Sequence, residues 1–224
     1  MSNANRNLNI TKASHISSTL RNAIIFGDLK PGEKITESRI SKKFNTSHIP
    51  VREALKQLER EGYIESKPYS GNNVRSTSYH NLAEYNTIHK MFIRNFLKPA
   101  VQQYTEADFR KFNEIIKKME KSVDYREASL LMIELNELLY EPVKMPYMSL
   151  LLKKFLYDNL IYISIYLKEI SKGNINTEAI KKFLKLCRDK KIKEAVSFWI
   201  KTQDEETKVL IDHFKKEIKE KFFL

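Results

Sequence analysis

The stretch TSHIPVREALKQLEREGYIE, residues 46–65, constrains the fold of this chain more than any other. Its apolar residues recur at helical spacing and stop at Gly62, which suits the left-handed position that follows a helix. Pro50 is tolerated in a first helical turn, and Ser47 is placed to cap that turn by accepting backbone N–H bonds. We therefore expect an amphipathic helix that begins near Ile49 or Pro50 and leaves one polar face exposed.

The flanking segments predict the rest of a small domain. A helix from Lys12 ends near Gly27, a second one opens at Thr36 or Glu37, and residues 45–47 form the turn before the long helix. After that helix, residues 63–67 and 73–76 read as two short strands around a glycine-bearing turn, residues 68–72. This order of helix, turn, helix and hairpin is that of a winged helix-turn-helix, a module that reads DNA.

The remainder of the chain lacks strand patterns and is rich in helix formers. We place the domain boundary in the polar joint at residues 76–80. The fold class is mainly α, with an N-terminal winged helix-turn-helix, a small two-stranded wing and a C-terminal all-α bundle. The predicted parts are a disordered leader at 1–10, the DNA-binding domain at 11–78 and an effector-binding and dimerisation domain at 79–224. Its helices are expected at roughly 81–103, 105–121, 125–141, 146–171, 177–190 and 192–222.

The charge is consistent with a polyanionic partner. The net charge is +12, and residues 1–78 carry 13 basic and 7 acidic residues, about twice the excess per residue of the remainder. A basic excess suits DNA, although heavy lysine usage also raises the charge of proteins that bind no nucleic acid. The single cysteine, Cys187, permits no intrachain disulfide, which fits the cytoplasm. No apolar run approaches the ~18–20 residues that span a membrane.

The start of the long helix offers a route to DNA. Backbone N–H groups and the helix dipole favour phosphate there, and side chains in the first turns reach base edges in the major groove. Arg52 is suited to bidentate bonding with guanine. The alternative is structural, because Arg52 could simply pair with Glu53 or Glu59 and Gly71 could be only a turn glycine. The predicted DNA-binding residues are Ser38, Arg39, Ser47, His48, Ile49, Arg52, Lys56, Lys67, Gly71 and Asn72.

Residues 14–76 resemble the DNA-binding domain of GntR-family bacterial transcription regulators. The resemblance is carried by LRNAIIFGDLKPGEKITESRISKKF, by PVREALKQLEREGYIE and by SGNNV at the wing. Some positions depart from the family. His48 and Ile49 stand where arginine and threonine are common, arginine is also common at Ser38, and glycine is usual at Asn45. The resemblance implies a winged helix that binds double-stranded DNA, with an operator sequence altered by these departures.

The helical part resembles the effector-binding and dimerising domain of the FadR-type subgroup, through RNFLKPA at residues 94–100. Many members hold a divalent metal with three histidines and an acidic residue. Asn136, Ile180 and Thr202 stand at those histidine positions, and isoleucine cannot ligate a metal. We expect no metal and no other cofactor.

An organic ligand between the helices is an alternative to a cavity filled by aromatic side chains. The candidate pocket residues are Arg94, Asn136, Asn159 and Thr202. There is no catalytic motif such as G-x-S-x-G or a phosphate-binding glycine loop, so we expect no enzyme. The prediction is a cytoplasmic, homodimeric bacterial regulator, in most such cases a repressor, that reads a palindromic operator and responds to a small-molecule effector. The alternative is a winged-helix module that docks a protein partner without specific DNA binding.

Overall fold

The computed structural model describes residues 11–67 and 71–222, with Lys67 and residues 217–222 described by their backbone alone. The chain divides into two compact units, residues 1–76 and 77–224. The predicted leader at 1–10 and most of the predicted wing turn lie outside the described residues.

The first unit is a helix-turn-helix with an antiparallel sheet. Thr11 caps α1 by accepting a hydrogen bond from Ser14 N, and Thr36 caps α2 by accepting from Arg39 N. Asn45 adopts the left-handed conformation (φ 45°) that ends α2 and turns the chain into α3. The elements are α1 (Lys12–Ile25), β1 (Lys34–Ile35), α2 (Glu37–Phe44), α3 (His48–Arg60), β2 (Ile64–Lys67) and β3 (Gly71–Val74).

The sheet has three strands in the order β1-β3-β2, where the sequence predicted two. Lys34 pairs with Asn73 and Ile35 with Asn72, so the segment expected to be a connection is an edge strand. A strand of two residues is too short to show the alternation by which a strand is recognised. The additional strand, β1, pairs with β3 and so connects the wing to the segment that precedes α2.

The core of the first unit lies between α1 and α3. Buried apolar side chains from the two helices meet there, and Gly62 (φ 83°) redirects the chain so that Ile64 joins them. Burying such side chains stabilises a fold by ~1.5–3 kcal/mol each. This packing holds the backbone of α3 rigidly while its opposite face is exposed. The residues are Ile16, Leu20, Ile24, Val51, Ala54, Leu55, Leu58 and Ile64.

The second unit is all-helical in its described residues, as predicted. One difference is that the helix expected over 146–171 breaks at Asn159, whose amide donates to Phe155 O, and it continues as α9 and a π-helical turn. The elements are α4 (Tyr79–Phe92), a π-helical turn (Ile93–Leu97), α5 (Lys98–Gln103), α6 (Glu106–Lys121), α7 (Tyr125–Tyr140), a 3₁₀ turn (Glu141–Val143), α8 (Pro146–Asp158), α9 (Leu160–Ile165), a second π-helical turn (Tyr166–Ile170), α10 (Thr177–Arg188) and α11 (Ile192–Phe222).

Helix α11 lies against α4 and α10, and α6 pairs with α7. Phe112, Phe183 and Trp199 are almost fully buried and fill the bundle with aromatic volume. Cys187 is buried as well, and burial raises the pKa of its thiol to about 12, so it is a structural thiol and not a reactive one. No helix in the described part of the chain is long and apolar enough to cross a membrane.

Candidate nucleic-acid interface

The first turn of α3 is open to solvent. Ser47 occupies the N-cap position, but its hydroxyl makes no capping hydrogen bond, so the predicted cap was wrong. The N–H groups of the first helical turn have no intrahelical acceptor, and the positive end of the helix dipole lies there. Ser47, His48 and Ile49 are all exposed, Ile49 to 71%. The free N–H groups of such an exposed helix start can donate hydrogen bonds to a phosphate, and its side chains can reach a base edge.

Arg52 is held by a partner that the sequence did not suggest. Its Nε and Nη2 each donate a 3.0 Å hydrogen bond to the two carboxylate oxygens of Glu37 in α2. His48 Nδ1 lies 3.7 Å from the same carboxylate. The hydrogen bond from Arg52 lowers the pKa of Glu37, and His48 adds to the effect. The fork geometry fixes the plane of the guanidinium, while Arg52 remains exposed on the outer face of α3.

The exposed side of α2 carries two of the predicted DNA-binding residues. Ser38 and Arg39 are exposed in its first turn. Arg39 Nη2 donates to Glu33 Oε1 over 2.9 Å, and Glu33 also accepts from Lys30 N, the bond that lowers its pKa most. Such an exposed ion pair is weak. Arg39 can therefore exchange Glu33 for a phosphate at little cost.

The wing adds a basic residue that the sequence analysis did not select. Gly71 is exposed with φ 76°, and a Cβ built there would lie 3.9 Å from Lys34 Cε. The side chain of Lys34 therefore reaches along the wing from β1. Asn72 is half-buried opposite Ile35, and Lys67 pairs with Gly71 in the neighbouring strand. Lys34 was missed because its strand carries no recognisable pattern.

Most of the predicted DNA-binding residues have side chains on exposed surfaces of the first unit. Lys56 is exposed one turn beyond Arg52, so α3 presents a continuous polar face. Opposite it, Arg21 donates to Glu61 over 2.6 Å, and Gln57 bridges Glu61 and Ser17. Those bonds tie α3 to α1 and leave its outer face free of partners from α1.

In the second unit, a cavity of about 80 Å³ lies between α4, α7, α9 and α11. Of the four predicted pocket residues, Asn136 lines it. Arg94 is exposed, and the side chains of Asn159 and Thr202 donate to the carbonyls of Phe155 and Phe198 on their own helices. The lining residues that sequence reasoning did not select include Tyr85, His89, Gln203 and Glu206. Tyr85 and His89 lie one turn apart on α4, and Gln203 and Glu206 lie one turn apart on α11. Nothing in the sequence links one helix to the other.

The cavity contains buried polar groups. His89 is 2% exposed and Asn136 is 5% exposed, and neither His89 Nε2 nor Asn136 Oδ1 makes a hydrogen bond of normal geometry, although the two side chains are close enough for Asn136 to oppose the fall in the pKa of His89. Burial lowers the pKa of His89 to about 4, so the imidazole is neutral at physiological pH. Burial raises the pKa of Glu206 to about 7, and neighbouring Glu205 adds to this shift. Unpaired buried polar atoms of this kind mark a site that a ligand can complete.

The residues at the family's metal-ligand positions do not fit a metal. Ile180 is a buried apolar side chain, and the Thr202 hydroxyl donates to Phe198 O. Among the described residues, no group of three or more His, Cys, Asp or Glu side chains is arranged to hold a metal ion.

Comparison with known proteins supports the interpretation of the first unit. Residues 12–74 match the model of the bacterial regulatory proteins, gntR family. The chain is similar to the uncharacterized HTH-type transcriptional regulator YdhC of Bacillus subtilis (strain 168), with 25% identity over 122 residues, 54% of each chain. It is also similar to the mannosyl-D-glycerate transport/metabolism system repressor MngR of Escherichia coli (strain K12), with 39% identity over 61 residues. That match covers 27% of this chain and 25% of MngR.

The fold resembles that of E. coli McbR/YncC, with a TM-score of 0.73 at 17% identity over 91% of this chain and 99% of that one. The matches to the two curated relatives span about half of YdhC and a quarter of MngR. The chain is thus similar to GntR-family transcription regulators, with the family's winged helix in its first unit.

Proposed function

We propose that this protein is a transcription regulator that binds specific DNA sequences through α3 and the wing, and that it acts as a repressor. The observation that carries the proposal is the exposed, uncapped start of α3, where Ser47, His48 and Arg52 lie on one accessible surface. The family match covers these same residues. Arg52 reads a base, and Arg39 and Lys34 contact phosphates.

The regulator works as a homodimer on a palindromic operator, because two-fold symmetric proteins match two-fold symmetric sites. An exposed apolar surface supports this part of the proposal. Tyr147, Leu150 and Leu151 lie on one face of α8 and are 85%, 68% and 62% exposed. Apolar patches of this kind mark protein interfaces, and a second copy of the same face is its partner. We call these three residues the α8 face.

A small molecule in the second-unit cavity modulates operator affinity. It does so only if it binds the DNA-competent and DNA-incompetent arrangements with different affinity. The chain carries out no catalysis in this account, needs no metal or other cofactor, and works in the bacterial cytoplasm, where operators are found. Stoichiometric metal in purified protein would contradict the statement that the chain needs no metal.

A second candidate function is a winged-helix module that docks a protein partner. The observation that favours it is Ile49, an apolar side chain 71% exposed at the start of α3. An apolar side chain suits a protein groove, but it also suits the methyl group of thymine.

Nuclease footprinting of the DNA upstream of the protein's own gene tests the proposal. The expected result is protection of two half-sites one helical turn of DNA apart, or a multiple of it. Uniform protection at every sequence, or none at concentrations where the protein is folded, would reject specific operator binding and favour the docking module.

A further inference from the structure

The cavity in the second unit combines one carboxyl group with several aromatic rings. Tyr85, Tyr162 and Tyr166 line it together with Glu206. Tyr85 stacks on Phe155 with ring centroids 4.6 Å apart, and it lies 6.4 Å from Tyr162. After burial, the charge of Glu206 is the next cause that raises the pKa of both Tyr85 and Tyr166, and all three residues line the same cavity.

That carboxyl has no basic partner among the described residues of the cavity. None of the described residues that line the cavity is lysine or arginine, and no basic group contributes to the electrostatics of Glu206. Its neighbour Glu205 differs, because it is exposed and lies 3.8 Å from Lys201. The Glu206 side chain is half-buried, and a carboxylate that is partly removed from water without a counter-ion favours either protonation or the binding of a cation.

Asn136 and His89 add two buried polar groups to the lining of the cavity. Asn136 Oδ1 is buried and makes no hydrogen bond of normal geometry, although the Asn136 side chain lies close enough to His89 to oppose the fall in its pKa, and the amide nitrogen donates to Met132 O. His89 is buried and neutral, and its Nε2 makes no hydrogen bond of normal geometry. A ligand that completes this site supplies N–H donors and a positive charge, and a ligand carboxylate would meet Glu206 with like charge.

We infer that this cavity binds a small protonated amine, with its ammonium group between Glu206 and Asn136 and its carbon atoms against the tyrosine rings. Ammonium groups are attracted to aromatic faces, and the attraction is stronger when they are desolvated. The volume of about 80 Å³ limits the ligand to a few heavy atoms, since drug-sized ligands occupy sites of ~300–1,000 Å³. A divalent metal is the weaker alternative, because three rings and a single carboxylate suit it poorly.

The inference rests on the proposed function only for its consequence, which is that the amine changes operator affinity. Binding itself is measured on the full chain without DNA, by titration calorimetry with ethylamine, ethanolamine and tetramethylammonium. Propionate and n-propanol serve as the anionic and neutral probes of similar size. Ethylamine and ethanolamine are expected to bind, tetramethylammonium more weakly because it has no N–H donor, and propionate and n-propanol not at all.

Glu206→Gln is expected to weaken amine binding at least about tenfold, which corresponds to ~1.4 kcal/mol. The matched control is Glu194→Gln, which removes the same charge from an exposed residue in the first turn of the same helix and should leave the affinity within about twofold. Circular dichroism of each variant verifies that it is folded. Asn136→Leu is a second variant that removes the amide acceptor without touching the charge, and it should also weaken binding.

Three results would overturn the inference: equal binding of propionate or n-propanol, equal amine affinity of the wild type and Glu206→Gln, or the absence of binding by every amine up to millimolar concentration. Stoichiometric Zn²⁺ or Mn²⁺ that is lost in Glu206→Gln, in place of amine binding, would overturn it as well. The proposed function can fail separately. If the protein binds amines but recognises no DNA sequence, the proposed function is wrong and this inference still holds.

Discussion

Arg52 in α3 and Glu37 in α2 form a two-pronged ion pair, with both hydrogen bonds 3.0 Å long. The pair joins the two helices of the helix-turn-helix on their exposed side. It orients the guanidinium, but it also places a carboxylate beside the surface that approaches phosphate. Arg52 is thus both positioned and partly neutralised before DNA arrives.

Replacing Arg52 with alanine is expected to abolish sequence-specific binding while weak, salt-sensitive binding to any duplex persists. The physical reason is that a bidentate arginine–guanine contact discriminates between bases by ~1–3 kcal/mol, whereas phosphate contacts carry no sequence information. Gel-shift titrations with operator and random duplex measure the ratio. Arg60→Ala, at the far end of the same helix, is the matched control and should retain specificity. Full specificity in Arg52→Ala would sink the assignment.

Glu37→Gln is expected to raise affinity for every duplex and to lower the ratio between operator and random DNA. The substitution removes a negative charge near phosphate and frees the Arg52 side chain from its fixed plane. Because the pair is exposed, the free energy of unfolding should change by ~1 kcal/mol or less. Equilibrium binding to both duplexes, with urea unfolding alongside, checks the two statements. An unchanged ratio would mean that Glu37 does not position Arg52.

Ile49→Ala tests whether the exposed side chain touches a thymine methyl group. Since Ile49 is 71% exposed in the free protein, its truncation should leave the melting temperature unchanged. Affinity for the operator is expected to fall, and the fall should disappear when the contacted thymine is replaced by uracil, which lacks the methyl group. Leu58→Ala is a contrast inside the same helix, because Leu58 is fully buried and its truncation should cost ~2–5 kcal/mol of stability.

The dimer prediction concerns the α8 face. Replacing Leu150 and Leu151 with glutamate should convert a dimer into a folded monomer, because two charges cannot be buried against a symmetric copy without partners. Light scattering coupled to size-exclusion chromatography gives the mass directly. Val123→Glu is the control, since Val123 is 96% exposed outside this face, and it should remain dimeric. A wild-type monomer at micromolar concentration would contradict the prediction.

The pH dependence of stability isolates Glu206. Its pKa is raised to about 7 in the folded state, so the protonated carboxyl stabilises the fold below its unfolded pKa of ~4.3 and this contribution is lost as pH rises towards 7. His89, with its pKa lowered to about 4, acts oppositely, because its contribution is lost as pH falls below ~6.5. Between pH ~4.3 and pH ~6.5 the two contributions to the stability of the wild type therefore change in opposite directions as pH rises.

Glu206→Gln removes one of the two trends. The melting temperature of Glu206→Gln minus that of the wild type should be several degrees larger at pH 8 than at pH 5. Thermal denaturation at both pH values, followed by circular dichroism in the absence of amines, measures the change. Glu84, Asp204 and Glu205 also lie on α4 and α11. Because Glu205 contributes to the raised pKa of Glu206, Glu205→Gln is measured in parallel and should show a smaller change in the same direction. Equal differences at the two pH values would contradict the raised pKa.

The sequence was sufficient for those parts of the fold that depend on local signals. Thr36 and Gly62 set the start of α2 and the end of α3, because capping and left-handed turns depend on a few neighbouring residues. The edge strand at Lys34–Ile35 escaped prediction because its pairing with β3 is non-local. The helix breaks at Asn159 within a continuous apolar helix pattern, and no proline or glycine at that point predicts the break.

The candidate sites differ in how far they could be predicted. The exposed residues of α3 follow from one helix and its period, and their role in binding DNA stays a prediction. The partner of Arg52 was sought among neighbours on the same helix, whereas Glu37 lies 15 residues earlier on another helix. His89, Asn136 and Glu206 come from three helices, and only tertiary packing brings them to one cavity. Asn136 alone was selected, through a family resemblance.

The measurement that tests the central claim most directly is the affinity of the wild-type protein for its own upstream DNA and for random duplex, titrated across salt concentration. The account predicts that both affinities fall steeply with salt, because lysine and arginine contacts release counter-ions from the phosphates. It also predicts that the upstream DNA binds ~10³-fold or more tightly than random duplex throughout. A flat salt response, or equal affinity for the two duplexes, would contradict the claim that this protein is a DNA-reading regulator.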